Sequence, residues 1–62
     1  MKQNIEVEKY IRRIHNAQKK QYAWLWYDYL MGVRDNPESP KGLSVMGAQA
    51  VRMQIDEMLG VE

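Results

Sequence analysis

Tyr22-Ala-Trp-Leu-Trp-Tyr-Asp-Tyr-Leu-Met31 is apolar around nearly its whole circumference when wound as an α-helix. A helix with apolar residues on every side needs neighbours on every side. Upstream the pattern is different. At about 100° per residue, Val7, Ile11, Ile14, Gln18, Tyr22, Leu25 and Tyr29 fall in one sector. Lys9, Arg12, Arg13, Asn16, Lys19 and Lys20 lie almost opposite. Neither Gly nor Pro interrupts the chain between Ile5 and Met31, and good helix formers are frequent there. Asn4 is a suitable amino-terminal cap, with Glu6 and Glu8 where carboxylates suit the helix dipole. The spacing therefore predicts one long helix over about residues 5–32, amphipathic in its first half and apolar all round in its second. His15 and Asn16 are weaker helix formers. A break there is the alternative, and it gives a three-helix monomer whose first helix folds back on the other two.

Gly32 offers a stop. Asp35-Asn36-Pro37-Glu38-Ser39-Pro40-Lys41-Gly42 reads as a connector, over about residues 33–43. A second helix follows over about residues 44–59. Ser44 is favoured as its cap over Ser39-Pro40, because Gly42 weakens a helix begun earlier, and Gly60 ends it. On this helix Gly47, Val51, Ile55 and Leu59 form one ridge, with Met46, Ala50 and Met53 on an adjoining face. Val45, Gln49, Arg52 and Asp56 make the outer side. Gly47, Ala48 and Ala50 read as small residues that let a Trp or another helix approach.

With 62 residues the chain is a single small helical domain, residues 1–62, near the lower limit of independent folding. Domains of this size commonly rely on disulfides, a metal or self-association. The chain has no cysteine and one histidine, which leaves self-association. A helix of about 28 residues is roughly 42 Å long and one of about 16 roughly 24 Å. Folded as an antiparallel αα-hairpin, the shorter arm leaves Val7, Ile11 and Ile14 uncovered. The expected fold is thus all-α: a hairpin with one long and one shorter helix, dimerising about a twofold axis into a four-helix bundle-like assembly.

Net charge is only +1, but it is unevenly spread. Residues 1–22 carry six basic and two acidic groups, +6 − 2 = +4, and residues 23–62 carry three and six, +3 − 6 = −3. No apolar run approaches the roughly 18 residues of a membrane span, and the amino terminus has no signal-peptide character. A cytoplasmic protein with no membrane partner is the expectation.

Catalysis is poorly supported. His15 has no Cys, Ser or carboxylate at a spacing that would place a nucleophile within reach. Asp28, a carboxylate inside the aromatic segment, calls for a partner such as Arg52 or a tyrosine hydroxyl. No metal-ligand spacing, phosphate loop or EF-hand pattern is present, so no metal, cofactor or small-molecule substrate is expected.

Two surfaces remain. Tyr22, Trp24, Trp26, Tyr27, Leu30, Met31, Met46 and Met53 are residue types that interface centres favour, and form the candidate partner or oligomer interface. Lys9, Arg12, Arg13, Lys19 and Lys20 form a basic face suited to phosphates or to an acidic surface. The expected function is that of a small non-enzymatic regulatory protein, acting as a homodimer by binding a partner protein. A DNA- or RNA-binding protein using the basic face is the alternative.

Overall fold

The described residues, 4–61 of a computed structural model, form three helices and no strand. They are α1 (Ile5–Arg12), α2 (Ala17–Leu30) and α3 (Val45–Leu59). Lys2 and Glu62, counted in the charge asymmetry, lie outside the described residues.

The single long helix expected over residues 5–32 is divided at residues 13–16. Two local devices make the break. The amides of Arg13 and Ile14 bond back three residues, to Tyr10 and Ile11, which tightens and ends α1. Asn16 then takes an extended conformation, and its side chain accepts the Lys19 amide at 2.9 Å as the cap of α2. The tertiary reason is burial. A straight helix of about 42 Å exceeds the 31 Å longest dimension of the molecule. Folding back instead places Val7 and Ile11 in the core with no exposed surface.

The hairpin of the fold is therefore α1–α2. The Asn4 amide, at the start of α1, reaches the Tyr27 hydroxyl near the end of α2 at 2.7 Å. The turn at residues 13–16 closes the other end.

The break also resets the phase of the helix. An uninterrupted wheel turns Tyr22, Leu25 and Tyr29 inward. In the structure the inner face of α2 is Tyr22, Ala23 and Tyr27, while Leu25 and Tyr29 are half-buried. Gln18, on the expected apolar stripe, is exposed.

α3 also runs in a different direction from the one expected. Tyr22 bonds Arg52 and Trp26 bonds Asp56, so both partners advance together. Gln18, near the start of α2, lies against Gly42, just ahead of α3. The two helices thus run in the same general sense, and the expected antiparallel arrangement of the aromatic helix with the last helix is not the one adopted. The reason is the length of residues 31–44, which carry the chain back along α2 before α3 begins. Gly32 makes the exit: at φ +82° it ends α2 with Val33 N–H bonded to the Asp28 carbonyl at 2.8 Å and Gly32 N–H to that of Tyr29. Gly42, at φ +92°, sets the re-entry, two residues before Ser44 caps α3 through the Gly47 amide.

The core is Val7 and Ile11 of α1, Tyr22, Ala23 and Tyr27 of α2, and Ala48, Val51 and Ile55 of α3. The neighbours that the aromatic segment requires are thus supplied within one chain, α1 on one side and α3 on the other. The radius of gyration, 10.7 Å, is close to the roughly 10.6 Å expected of a compact chain of this length. No helix among the described residues is long and apolar enough to cross a membrane.

Candidate interaction surfaces

Two polar clasps tie the helices together, and they decide which side chains remain outside. In the first, Tyr27 accepts from the Asn4 amide and donates to Glu8 Oε2 at 3.2 Å, while Glu8 Oε1 also pairs with Arg12 at 3.4 Å. In the second, Trp26 Nε1 donates to Asp56 Oδ1 at 2.9 Å. Arg52 donates to the Tyr22 hydroxyl at 3.0 Å, and its guanidinium lies 5.9 Å from the Tyr22 ring centre and 5.8 Å from that of Trp26. These distances are within cation–π range. Arg52 and Asp56 were placed on the outer side by the sequence pattern. They are instead half-buried, and their long or acidic ends close over the aromatic residues of α2. Arg52 is therefore not the partner of Asp28, and among the described residues no tyrosine hydroxyl bonds the Asp28 carboxylate.

The eight residues of the aromatic–methionine set separate into three groups. Tyr22 and Tyr27 are in the core. Trp24, Trp26, Leu30 and Met31 are half-buried and pack on that core. Met46 and Met53 are exposed, at 81% and 61% of their full surface. Three of the six exposed large apolar side chains among the described residues thus lie on α3, where Val45, on the outer side as its spacing predicts, is exposed at 79%; the others are Ile5, Val33 and Val61. Opposite the buried ridge of Ala48, Val51 and Ile55, the face Met46, Gln49, Ala50 and Met53 points to solvent. Ala50 opens onto this face and not onto a neighbouring helix. At Gly47 the atoms nearest an added Cβ belong to Leu43 and Ser44, both at 3.1 Å, so its smallness makes room for the residues just ahead of α3 and not for a Trp or another helix. The signal for the outward face was a spacing of seven between Met46 and Met53 with the small Ala50 between them. It could not be separated from a core stripe while the direction of α3 was unknown.

The basic residues are also redistributed by the break. Lys9, Arg12 and Arg13 are exposed on or just after α1, and Lys19 and Lys20 are half-buried in the first turn of α2. The antiparallel return of α2 gathers all five towards one end of the molecule. His15, in the turn, and Lys41, just before α3, join them and are exposed. No acidic residue occurs from Lys9 to Tyr27. The opposite end holds Glu6 and Glu8 in the first turn of α1, Asp28 in the last turn of α2, and Asp56 and Glu57 in that of α3.

This placement runs against two helix dipoles. The amino-terminal turn of a helix favours acids and the carboxy-terminal turn favours bases. α1 obeys: acids lead and bases follow. α2 and α3 have no acid in the first turn and no base in the last. Because those two helices run in the same sense, their positive ends add to the basic end, and their negative ends to the acidic one. Charge and helix dipole thus point the same way along α2 and α3.

Elsewhere, burial raises the Tyr10 phenol above its ordinary pKa. Among the described residues no group of three His, Cys, Asp or Glu side chains is placed to hold a metal ion. Compared with protein-family models, with curated proteins and with solved structures, the chain matches none.

Proposed function

We propose that this chain is a small non-enzymatic interaction protein, regulatory in type, that works through protein–protein contact and as a homo-oligomer. The outer face of α3 is the anchor and the basic end is an electrostatic guide. One observation carries the reading: Met46 and Met53 remain outside at 81% and 61% exposure, although the core has taken up Tyr22, Tyr27, Val51 and Ile55. Large apolar side chains left on one helical face mark contact surfaces more often than scattered ones do, and methionine adapts to a partner's shape. The test is site-directed photo-cross-linking of the full chain in its native host. A photoreactive residue at Ala50 is expected to capture protein, and one at exposed Glu38 in the connector is not. Equal capture at the two positions, or none at Ala50, would overturn the assignment of the anchor.

A second reading has its own support in the basic end, where Arg12, Arg13, Lys19 and Lys20 converge beside the start of α2. There the protein contacts nucleic-acid phosphates without reading sequence. Binding to duplex or single-stranded DNA or RNA should then weaken steeply with salt and be lost on combining Arg12→Ala with Arg13→Ala. Binding indifferent to both would remove this reading.

A further inference from the structure

We propose that the outer face of α3 is a twofold contact between two copies of this chain, with the two α3 helices antiparallel and the axis passing beside Gln49 and Ala50. The proposal rests on the reading of α3 as the anchoring surface and names its occupant. Three observations converge on a second copy.

First, the face is self-complementary. In an antiparallel pair centred between residues 49 and 50, Met46 of one copy meets Met53 of the other, Val45 meets Gln54, and Gln49 meets Ala50. The spacing of seven between the methionines is that of a coiled-coil seam. The small Ala50 at the centre lets the two backbones approach. The same register set parallel would place Met46 against Met46 and Glu57 against Glu57.

Second, the charge pattern is complementary to itself only when reversed. The first turn of α3 lacks an acid and its last turn lacks a base, while Glu57 sits at the negative end and Lys41 just ahead of the positive one. Both side chains are exposed, and among the described residues the only ion pair is Arg12–Glu8. Antiparallel pairing brings the Glu57 end of each copy beside the Lys41 end of the other, at both ends of the contact. It also sets each helix's negative end beside the other's positive end. A helix charged against its own dipole gains from a neighbour charged the same way and turned around. A partner able to do this must carry an apolar stripe of equal length with an acidic end and a basic one, and this chain is such a partner.

Third, area sets the strength. α3 has 15 residues and is roughly 22 Å long, so one helical face falls short of the roughly 800 Å² per partner of a standard stable interface. The pair is therefore reversible, exchanging with the single subunit in which the core is already complete.

Sedimentation equilibrium of the full chain from about 10 µM to about 1 mM tests this. The unmodified chain should pass reversibly from one copy to two. Met53→Lys should weaken pairing at least about tenfold, with helical circular dichroism unchanged because the side chain lies outside the core. Lys41→Glu and Glu57→Lys should each weaken pairing by roughly three- to tenfold, and the chain carrying both should regain it. A chain that stays single at about 1 mM overturns the proposal. So does a double charge exchange no better than either single one, which would exclude the antiparallel register. Failure of the proposal is distinguishable from failure of the underlying reading by repeating the Ala50 cross-link with Met53→Lys. If the unmodified chain is single but its adduct disappears in the variant, the face is an anchor for another protein. If no adduct forms at Ala50 at all, the anchor itself is lost.

Discussion

Replacing His15 and Asn16 together by Ala tests what holds the chain in its folded-back form. Both substitutions favour a straight helix through residues 13–16. Alanine exceeds His and Asn in helix propensity by about 0.6 kcal/mol each, about 1.2 kcal/mol in all. Loss of the Asn16 side chain, which accepts the Lys19 amide, removes a cap worth about 1 kcal/mol. The broken state thus loses about 2 kcal/mol relative to the continuous one. Against this stands the burial of Val7 and Ile11, both without exposed surface and each worth about 2 kcal/mol. The hydrogen bond from the Asn4 amide to Tyr27 adds to that side. The burial outweighs the local change by about 2 kcal/mol, so α1 stays docked. The variant should remain as compact as the parent in small-angle X-ray scattering. Since only the cap is lost by the docked state, its urea midpoint should drop by an amount equal to about 1 kcal/mol. An elongated particle, with a longest dimension above about 42 Å, would show that the cap and not the core holds the break. That result would refute the burial argument.

Ile11→Ala should destabilise by about 2–5 kcal/mol in urea unfolding, the range for truncating a fully buried aliphatic side chain, and in so small a domain the upper part of that range would leave it largely unfolded. Trp26→Phe removes the donor to Asp56 and should cost about 1–2 kcal/mol. A double-mutant cycle with Asp56→Ala should assign most of that cost to the pair, and additive losses would show that the bond contributes little. Burial raises the Tyr10 phenol above 10.0, so the fold favours its neutral form. That contribution is complete below the unfolded value and is lost as pH rises through the higher folded one. Above pH 10 the parent should lose stability more steeply than Tyr10→Phe, measured by urea midpoints across the alkaline range. Parallel curves would remove Tyr10 from the account.

The helical class was legible because no Gly or Pro falls between Ile5 and Met31 and because Asn4 and Ser44 are good caps ahead of periodic apolar runs. The break was only half legible. Asn16 is as good a cap as Asn4, but it lies inside an otherwise unbroken pattern, and local propensity there favours neither state by much. What decides it is whether Val7 and Ile11 find a surface, which is a tertiary quantity. Preferring the continuous helix to the break phases the inward face of the aromatic segment wrongly and does not distinguish Ala23 and Tyr27 from Leu25 and Tyr29. The direction of α3 depended on whether residues 31–44 turn tightly or run back along α2, and no single residue in that stretch encodes the choice. Arg52 and Asp56 then followed in error: placed on the outer side by their helical spacing, they bury their reach against Tyr22 and Trp26. Long charged side chains often cover aromatic surface in this way.

Read along the sequence, the aromatic stretch of α2 demanded a second molecule because no element seemed free to cover it. In the folded chain α1 and α3 cover it, and that demand disappears. The proposed contact rests instead on α3, whose buried ridge is satisfied while Met46 and Met53 face away from it. The electrostatics act in the same direction for an independent reason. A single subunit could have placed acids at the starts of α2 and α3 and bases at their ends, as α1 does, and gained a few tenths of a kcal/mol at each. It has the reverse at three of the four positions, Lys19 and Lys20 opening α2, Asp28 closing it and Asp56 and Glu57 closing α3, and at the fourth only Lys41, ahead of α3. In an isolated subunit that arrangement is a net cost, whereas beside an inverted copy it is a gain at both ends of α3. Apolar pattern and charge pattern are set by different residues, so their agreement on one face and one orientation is stronger support than either alone.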